Sequence, residues 1–314
     1  MADTTIRSLV DGAPWSGEAA DTVTITNPAD RDDVVATVEL GTAATLQAAA
    51  AAARRAQPDW AAVPAPVRGV AISKLGRILE ENKEALAQII TREIGKPIVE
   101  SRGEVQEAID TCIFFASEGR RLYGQTVPSE MPDKQLFTYR TPVGAMCIIT
   151  AGNFPVAVPS WYIVPALVAG NTVVWKPAEY TPATAEAFTR LIRAAGFPDG
   201  AFQLVLTGGQ DTFGGLEAAF EDGSLDKVGF TGSVDVGRRI GELCGRHLVT
   251  PTLELGGKNP LVVMPDADLD LAVEGSLFSG FGTAGQRCTS LGVAIVHASV
   301  KDEFLDRFDK AARE

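Results

Sequence analysis

Gly144–Trp175 reads GAMCIITAGNFPVAVPSWYIVPALVAGNTVVW and carries no charged side chain. A run that apolar invites reading as a membrane span. Pro155, Pro159 and Pro165 interrupt it, however, and Asn153 and Asn171 place polar amides inside it. It reads instead as a buried strand over Met146–Thr150, a loop, a helix over Val158–Ala169 and a second strand over Thr172–Lys176. Towards the C-terminus the alternation continues. Strands are predicted at Phe202–Leu206 and Lys227–Phe230, and helices at Pro182–Ala195, Asp211–Phe220 and Ser233–Gly245. Strands alternating with helices of this length predict an α/β fold whose parallel sheet is covered on both faces.

Upstream, residues 1–40 read as short strands and turns, because alternating or β-branched segments end at Gly, Asn, Pro and Asp. Four helical patterns follow, over Ala43–Trp60, Arg68–Asn82, Lys83–Ile94 and Pro97–Tyr123. The first is alanine-rich and has strong helix propensity. Gln125–Thr141, with Pro128, Pro132 and the alternating LFTYR, reads as an exposed two-strand excursion. Beyond Leu255 a second unit begins, with strands at Pro260–Met264 and Val293–His297 and helices at Ala267–Phe281 and Lys301–Arg313. At about sixty residues it is small for an independent core, so the sequence is expected to stop short within that unit. No short fixed period recurs, which argues against a solenoid.

The 314 residues favour two domains over one. Apolar content is 46%, charged content 22% and net charge −12, ordinary for a soluble globular protein. An acidic chain without clustered Lys and Arg is a poor match for nucleic acid or anionic membrane. The start, MADTTIRSLVDG, has no apolar core of a secretory signal, so a cytoplasmic setting is expected. The four cysteines (Cys112, Cys147, Cys244 and Cys288) are far apart without a CxxC pair, which argues for reduced thiols over a disulfide framework or a zinc site. His247 and His297 are too isolated for a metal cluster or a histidine-based triad, and read as structural or surface residues.

Chemistry concentrates in a few stretches. GTAGQRCTS, Gly282–Ser290, presents Cys288 beside Arg287 among small residues that keep the sulfur approachable, and a thiol attacks only as thiolate. In LELGGKNP, Glu254 stands between an apolar strand and Gly256–Gly257. Alone it reads as a buried structural or an exposed carboxylate; its place before the glycine pair favours a shaped site, and paired with a nucleophile it reads as a base. GFTGSVDVGRRI, Gly229–Ile240, runs a strand through Gly232 and Ser233 into a helix with Gly237 in its first turn. Its free N–H groups suit a pyrophosphate; the plainer reading is a helix capped by Ser233. The spacing differs from the GxGxxG fingerprint. WKPAE ends a strand of a parallel sheet, where ligands bind. There Lys176 suits ribose hydroxyls or a phosphate and Glu179 two ribose hydroxyls, and a carboxylate would repel the extra phosphate of NADP; a solvated surface pair is the alternative. AGNFP places Asn153 after another strand, as an oxyanion donor or a turn residue. Cys112, Cys147 and Cys244 lie in apolar patterns and read as small buried hydrophobes.

AGNFP, WKPAE, FTGSVDVG, LELGGKNP and GQRCTS, in that order, resemble the aldehyde dehydrogenase superfamily, and the likeness extends from about Ser16 to the last residue. The resemblance implies a Rossmann-like NAD(P)-binding domain over 1–124 and 143–253, an oligomerisation arm over 125–142 and a partial α/β catalytic domain over 254–314. It implies Cys288 as nucleophile, Glu254 as general base and Asn153 as oxyanion donor together with the Cys288 N–H. It assigns Lys176, Glu179, Thr150, Ala151, Gly208, Gly232, Ser233, Gly237 and Leu255 to the cofactor, NAD with NADP as the second candidate. A small aldehyde is the implied substrate and a homodimer or homotetramer the implied assembly. GEVQEAID, VPSE and TAGQRCT look like members acting on acidic semialdehydes, such as the α-aminoadipic and 2,5-dioxopentanoate types. Glu254 argues against a relative that passes its thioester to coenzyme A; a silent NAD-binding chain is the other alternative. Two departures stand out. Gly152 takes a position where the family usually carries an aromatic residue, and the family runs well past this length, to a later EIFGP-like motif.

Overall fold

The computed structural model describes residues 5–314. The chain opens with the short strands β1 (Leu9–Val10) and β2 (Ala13–Pro14), followed by β3 (Ala19–Asn27) and β4 (Asp30–Gly41). Helices α1 (Ala43–Ala62), α2 (Ala65–Glu81), α3 (Lys83–Ile94) and α4 (Ile98–Glu118) come next, then β5 (Thr126–Val127) and β6 (Leu136–Phe137). The alternating region comprises β7 (Ala145–Ile149), α5 (Ala157–Ala169), β8 (Thr172–Lys176), α6 (Pro182–Ala194), β9 (Phe202–Leu204), α7 (Gly209–Glu221), β10 (Lys227–Gly232), α8 (Val234–Arg246) and β11 (Thr252–Leu255). The last unit comprises β12 (Asn259–Val263), α9 (Leu269–Phe281), β13 (Leu291–Val296) and α10 (Lys301–Arg313).

The main sheet runs β11-β10-β7-β8-β9-β1-β2. Its first five strands are parallel, and β1 closes the far side antiparallel to β9. The uncharged run Gly144–Trp175 is therefore two adjacent central strands and their crossover helix. Such strands are covered on both faces and read as continuous apolar runs. Period two sorts their side chains. Met146, Ile148, Val173 and Trp175 join the core beneath α5 and α6, while Ala145, Cys147, Ile149 and Val174 join the opposite core beneath α1, α7 and α8. Helices α2, α3 and α4 add a further layer over α5 and α6.

The alanine-rich helix has a packing reason. Ala49, Ala50 and Ala53 are fully buried, and the Ala53 carbonyl accepts the Thr172 hydroxyl of β8 at 2.9 Å. A Cβ on Gly215 of α7 would come within 2.7 Å of Leu46 Cβ and 2.8 Å of the Ala43 carbonyl. Larger residues on α1 would hold these elements apart.

The N-terminal segment differs from the short strands expected. β3 and β4 form one long antiparallel ribbon with register shifts at Ala19/Asp21, Ile25/Thr26 and Thr26/Asn27. Bulges break the alternation that sequence periodicity relies on. The excursion is a two-stranded hairpin in which Thr126 pairs Phe137 and Val127 pairs Leu136. The last unit is a two-stranded parallel sheet around a small core of Val263, Leu269, Val273 and Phe304. Val262, Phe278, Phe281 and Ile295 stay exposed on it. No helix among the described residues is long and apolar enough to cross a membrane.

Candidate active site

Strand order reverses between β7 and β10. In open parallel sheets the crevice at such a reversal, beyond the carboxyl ends of the strands, is where ligands bind. β7 runs out into Thr150, Ala151 and Asn153, β8 ends at Lys176, β10 ends at Gly232 and β11 at Leu255. Four of the five motifs singled out in the sequence therefore share one edge of one sheet.

The cysteine loop is tied to that edge. Asn153 Nδ2 donates to the Gln286 carbonyl at 2.6 Å, joining the loop after β7 to the segment two residues before Cys288. Asn259 Nδ2 donates to the carbonyls of Cys288 at 2.8 Å and Ser290 at 3.0 Å, so the LGGKNP turn holds the other side. Asn153 keeps a second amide N–H, and its Oδ1 is buried without a partner among the described residues. The thiols divide sharply. Cys288 is exposed, whereas Cys112, Cys147 and Cys244 are buried. Burial pushes Cys112 and Cys147 up to about 12 and raises Cys244 as well, so those three stay inert thiols.

Glu254 is exposed on β11, paired in register with Thr231. Tyr162 of α5 shares a 3.0 Å hydrogen bond with the Thr231 hydroxyl. Burial first, and the Glu254 charge in addition, push the Tyr162 phenol up. Glu254 thus lies beside the helix that follows AGNFP. Among the described residues it makes no side-chain hydrogen bond, and none joins it to Cys288.

On the cofactor side, Lys176 is buried and its Nζ lies 2.6 Å from Glu179 Oε1, so the two act as a pair. The Lys ammonium has three donors, and Glu179 occupies one. Ser233 caps α8, accepting the Val236 N–H at 3.3 Å. Gly237 donates its own N–H to the Ser233 carbonyl. Its lack of a side chain serves packing: a Cβ would meet Leu255 Cδ2 at 2.6 Å. The N–H groups left for an anion at this helix start are those of Val234 and Asp235. Thr150 accepts the Trp175 indole N–H at 3.0 Å, which commits its hydroxyl to the core. A Cβ on Gly208, just before α7, would meet nothing within 4 Å, so the backbone there is open to approach. Gly152 is explained by a neighbour. Its Cβ would come within 2.4 Å of the Tyr180 ring, and its N–H donates to the Tyr180 hydroxyl at 3.3 Å. Tyr180 occupies the space an aromatic residue at 152 would need.

The sequence reading assigned nothing to the acids of α3 and α4, yet they hold these loops. Glu104 Oε1 accepts the N–H groups of Val156 at 2.8 Å and Ala157 at 3.2 Å, fixing the turn after Asn153. It is fully buried and ion-paired with Lys96, whose ammonium also lies 3.9 Å from the Phe154 ring centroid. Burial pushes Glu104 up and Lys96 down, and their pairing opposes both shifts. Glu93 accepts the N–H groups of Ala183 and Thr184 at 2.7 and 2.9 Å, fixing the start of α6 after the Lys176–Glu179 loop. The signal was the clustering of Glu93, Lys96 and Glu104 around one interhelical turn; no helical periodicity marks a carboxylate that faces inward.

A family model described as the aldehyde dehydrogenase family matches residues 15–314. The chain belongs to the aldehyde dehydrogenase family. Among curated relatives it is 37% identical to a succinate-semialdehyde dehydrogenase [NADP(+)] of Escherichia coli, covering 97% of this chain and 62% of that protein. It is also 37% identical to an alpha-ketoglutaric semialdehyde dehydrogenase of Bacillus subtilis, covering 96% of this chain and 62% of the relative. A crystal structure described as an E. coli NADP-dependent enzyme superposes with a TM-score of 0.92 at 36% identity, over 98% of this chain and 63% of that one. This member of the family thus spans about 62% of the length of the curated relatives it matches.

Proposed function

We propose that this chain serves an NAD(P)-dependent oxidation of an aldehyde to its carboxylic acid, through a thiohemiacetal and a thioester on Cys288. The observation that carries the reading is the Asn153–Gln286 hydrogen bond, which sets an amide donor against the loop of the one exposed cysteine. Cys288 Sγ attacks the carbonyl carbon, and the oxygen becomes an oxyanion in a thiohemiacetal. The second Asn153 N–H and the Cys288 N–H, which has no acceptor among the described residues, are the donors for that charge. The oxyanion collapses to a thioester on sulfur as the carbon-bound hydrogen leaves as hydride, for which a bound dinucleotide would be the acceptor. Glu254 takes the proton of the water that releases the acid. Splitting the oxidation in this way replaces one hard step by two easier ones.

The residues present suit a dinucleotide. Lys176 retains two donors, the open backbone at Gly208 allows close approach, and the Val234 and Asp235 N–H groups at the capped start of α8 are free to bind an anion. When bound, the dinucleotide supplies the hydride acceptor. Thr150, Ala151, Gly232, Ser233, Gly237 and Leu255 shape the walls between these points. Glu179 favours NAD by repelling a 2′-phosphate; the NADP named for two relatives makes NADP the alternative. An acidic semialdehyde is the proposed substrate class, as in the names of the curated relatives. Residues 125–142 are proposed as an oligomerisation arm, because Val127, Phe137 and Tyr139 are exposed there.

The test is incubation with NAD and a panel of semialdehydes, read by reduced-cofactor formation and by intact mass of the acylated chain. An adduct on the native chain that disappears in Cys288→Ser is expected. Equal reduced-cofactor formation by Cys288→Ser would overturn the assignment. A second reading, a dinucleotide-binding chain without turnover, draws on the exposed Phe278 and Phe281; it predicts NAD binding with neither adduct nor reduction.

A further inference from the structure

The turn that leads into the nucleophile is left-handed. Thr283, Ala284 and Gly285 have φ of 58°, 54° and 72° in succession. Residues with a Cβ avoid this region, and such conformations persist only where surrounding contacts over-determine them. Here the contacts are few and identifiable. The Thr283 N–H donates to both carboxylate oxygens of Glu100, each at 2.8 Å. Arg287 Nε donates to the Thr283 hydroxyl at 2.7 Å, and the Thr283 side chain is buried. The Gln286 N–H closes the turn on the Thr283 carbonyl at 2.9 Å. The Gln286 carbonyl is then the acceptor for Asn153. A continuous chain of contacts therefore runs from Glu100 through Thr283 and Gln286 to Asn153, with Cys288 two residues further on.

Glu100 lies in the first turn of α4, where a carboxylate complements the helix dipole and would ordinarily face solvent or its own helix. It reaches the cysteine loop instead, 183 residues away in sequence. Arg287 is drawn back by the same turn: its guanidinium stands 4.9 Å from the Phe278 ring centroid. Its Nε is already engaged by Thr283.

We infer that Glu100 is a positioning residue for the nucleophile: its carboxylate holds the left-handed turn that sets the Cys288 loop against Asn153. The inference rests on Cys288 being the nucleophile only for its functional meaning; the geometry is testable without aldehyde or cofactor. The test is hydrogen exchange of the free chain with Glu100→Ala and Glu100→Gln, followed in the peptide spanning 282–290. Glu100→Ala is expected to speed exchange there about tenfold, the loss of one ordinary hydrogen-bond equivalent. Peptides from β7, β8 and β10 should stay unchanged, as should the melting temperature of the main sheet. Glu100→Gln keeps one acceptor oxygen for the Thr283 N–H and should stay within about twofold of the parent. The rate of Cys288 alkylation by iodoacetamide, measured at a pH high enough to ionise the thiol fully, should shift in Glu100→Ala and be restored in Glu100→Gln. Unchanged exchange at 282–290 in Glu100→Ala would overturn the inference. So would a loss spread over the whole chain, which would mark Glu100 as a general stabiliser. Failure of the Cys288→Ser adduct test leaves this result standing, so the two readings fail separately.

Discussion

Glu93→Gln should make this protein more stable at pH 8 relative to its parent than at pH 5. Glu93 is buried, and burial pushes its carboxyl up to about 7, against the opposing bonds from the Thr184 and Ala183 backbone. In the unfolded chain the same group ionises near its ordinary value of about 4.3. Between these two values the folded state holds a proton that the unfolded state has released. Stability from this group is therefore fully present below about pH 4.3 and is lost as pH rises through about 7. Linkage over pH 5 to pH 8 then amounts to about 2.5 kcal/mol. Glutamine cannot ionise and resembles the protonated carboxyl, with one oxygen to accept one of the two N–H groups at the start of α6. At pH 5 the variant should lie within about 1 kcal/mol of the parent; by pH 8 the difference should have moved about 2.5 kcal/mol in its favour. For a chain of this size melting as one unit, that is about 4 °C in Tm. The assay is paired thermal or urea unfolding at half-unit pH steps, with the parent curve subtracted so that every other titration cancels. A difference that stays flat from pH 5 to pH 8 would show that Glu93 ionises normally in the fold and would refute the account of a buried, desolvated cap.

Two further outcomes follow from packing. Lys96→Met leaves Glu104 fully buried without its cation and should cost about 3–5 kcal/mol, read as a drop in the urea midpoint at pH 7; a loss under 1 kcal/mol would mean that Glu104 is protonated and satisfied by Val156 and Ala157 alone. Gly237→Val sets a branched side chain where even a Cβ meets Leu255 at 2.6 Å, and should destabilise by about 1–3 kcal/mol while leaving Cys288 alkylation unchanged; unaltered stability would show that β11 can shift away from α8.

Much of the sheet was legible because its code is local. The central strands are apolar on both faces and are bounded by Asn, Gly and Pro, so β8 falls on the residues read from the pattern and β7 within one residue of them. The helices α5 to α8 likewise follow from the spacing between strands. The ribbon of β3 and β4 was less legible, because its register shifts scramble the alternation on which strand reading depends. The site divides in the same way. Cys288, Asn153, Glu254, Lys176 and Glu179 were candidates by residue type beside glycines and strand ends, and the order of their motifs gave them proposed roles. The acids that hold those loops do not. Glu93, Glu100 and Glu104 lie on helices where a glutamate usually means a solvated face, and what sets them apart is the direction in which each carboxylate points.

The order of strands and helices and the segregation of small residues at loop ends were set by the amino-acid sequence alone, since each depends on neighbours within a few residues. Which loops meet was decided only in three dimensions. The reversal of strand order between β7 and β10 brings AGNFP beside FTGS. The Asn153 amide then reaches Gln286 across 133 residues, and Glu100 reaches Thr283 across 183. Contacts at that separation exist only after the sheet has closed the intervening chain, because their partners share no local pattern that could mark them in advance.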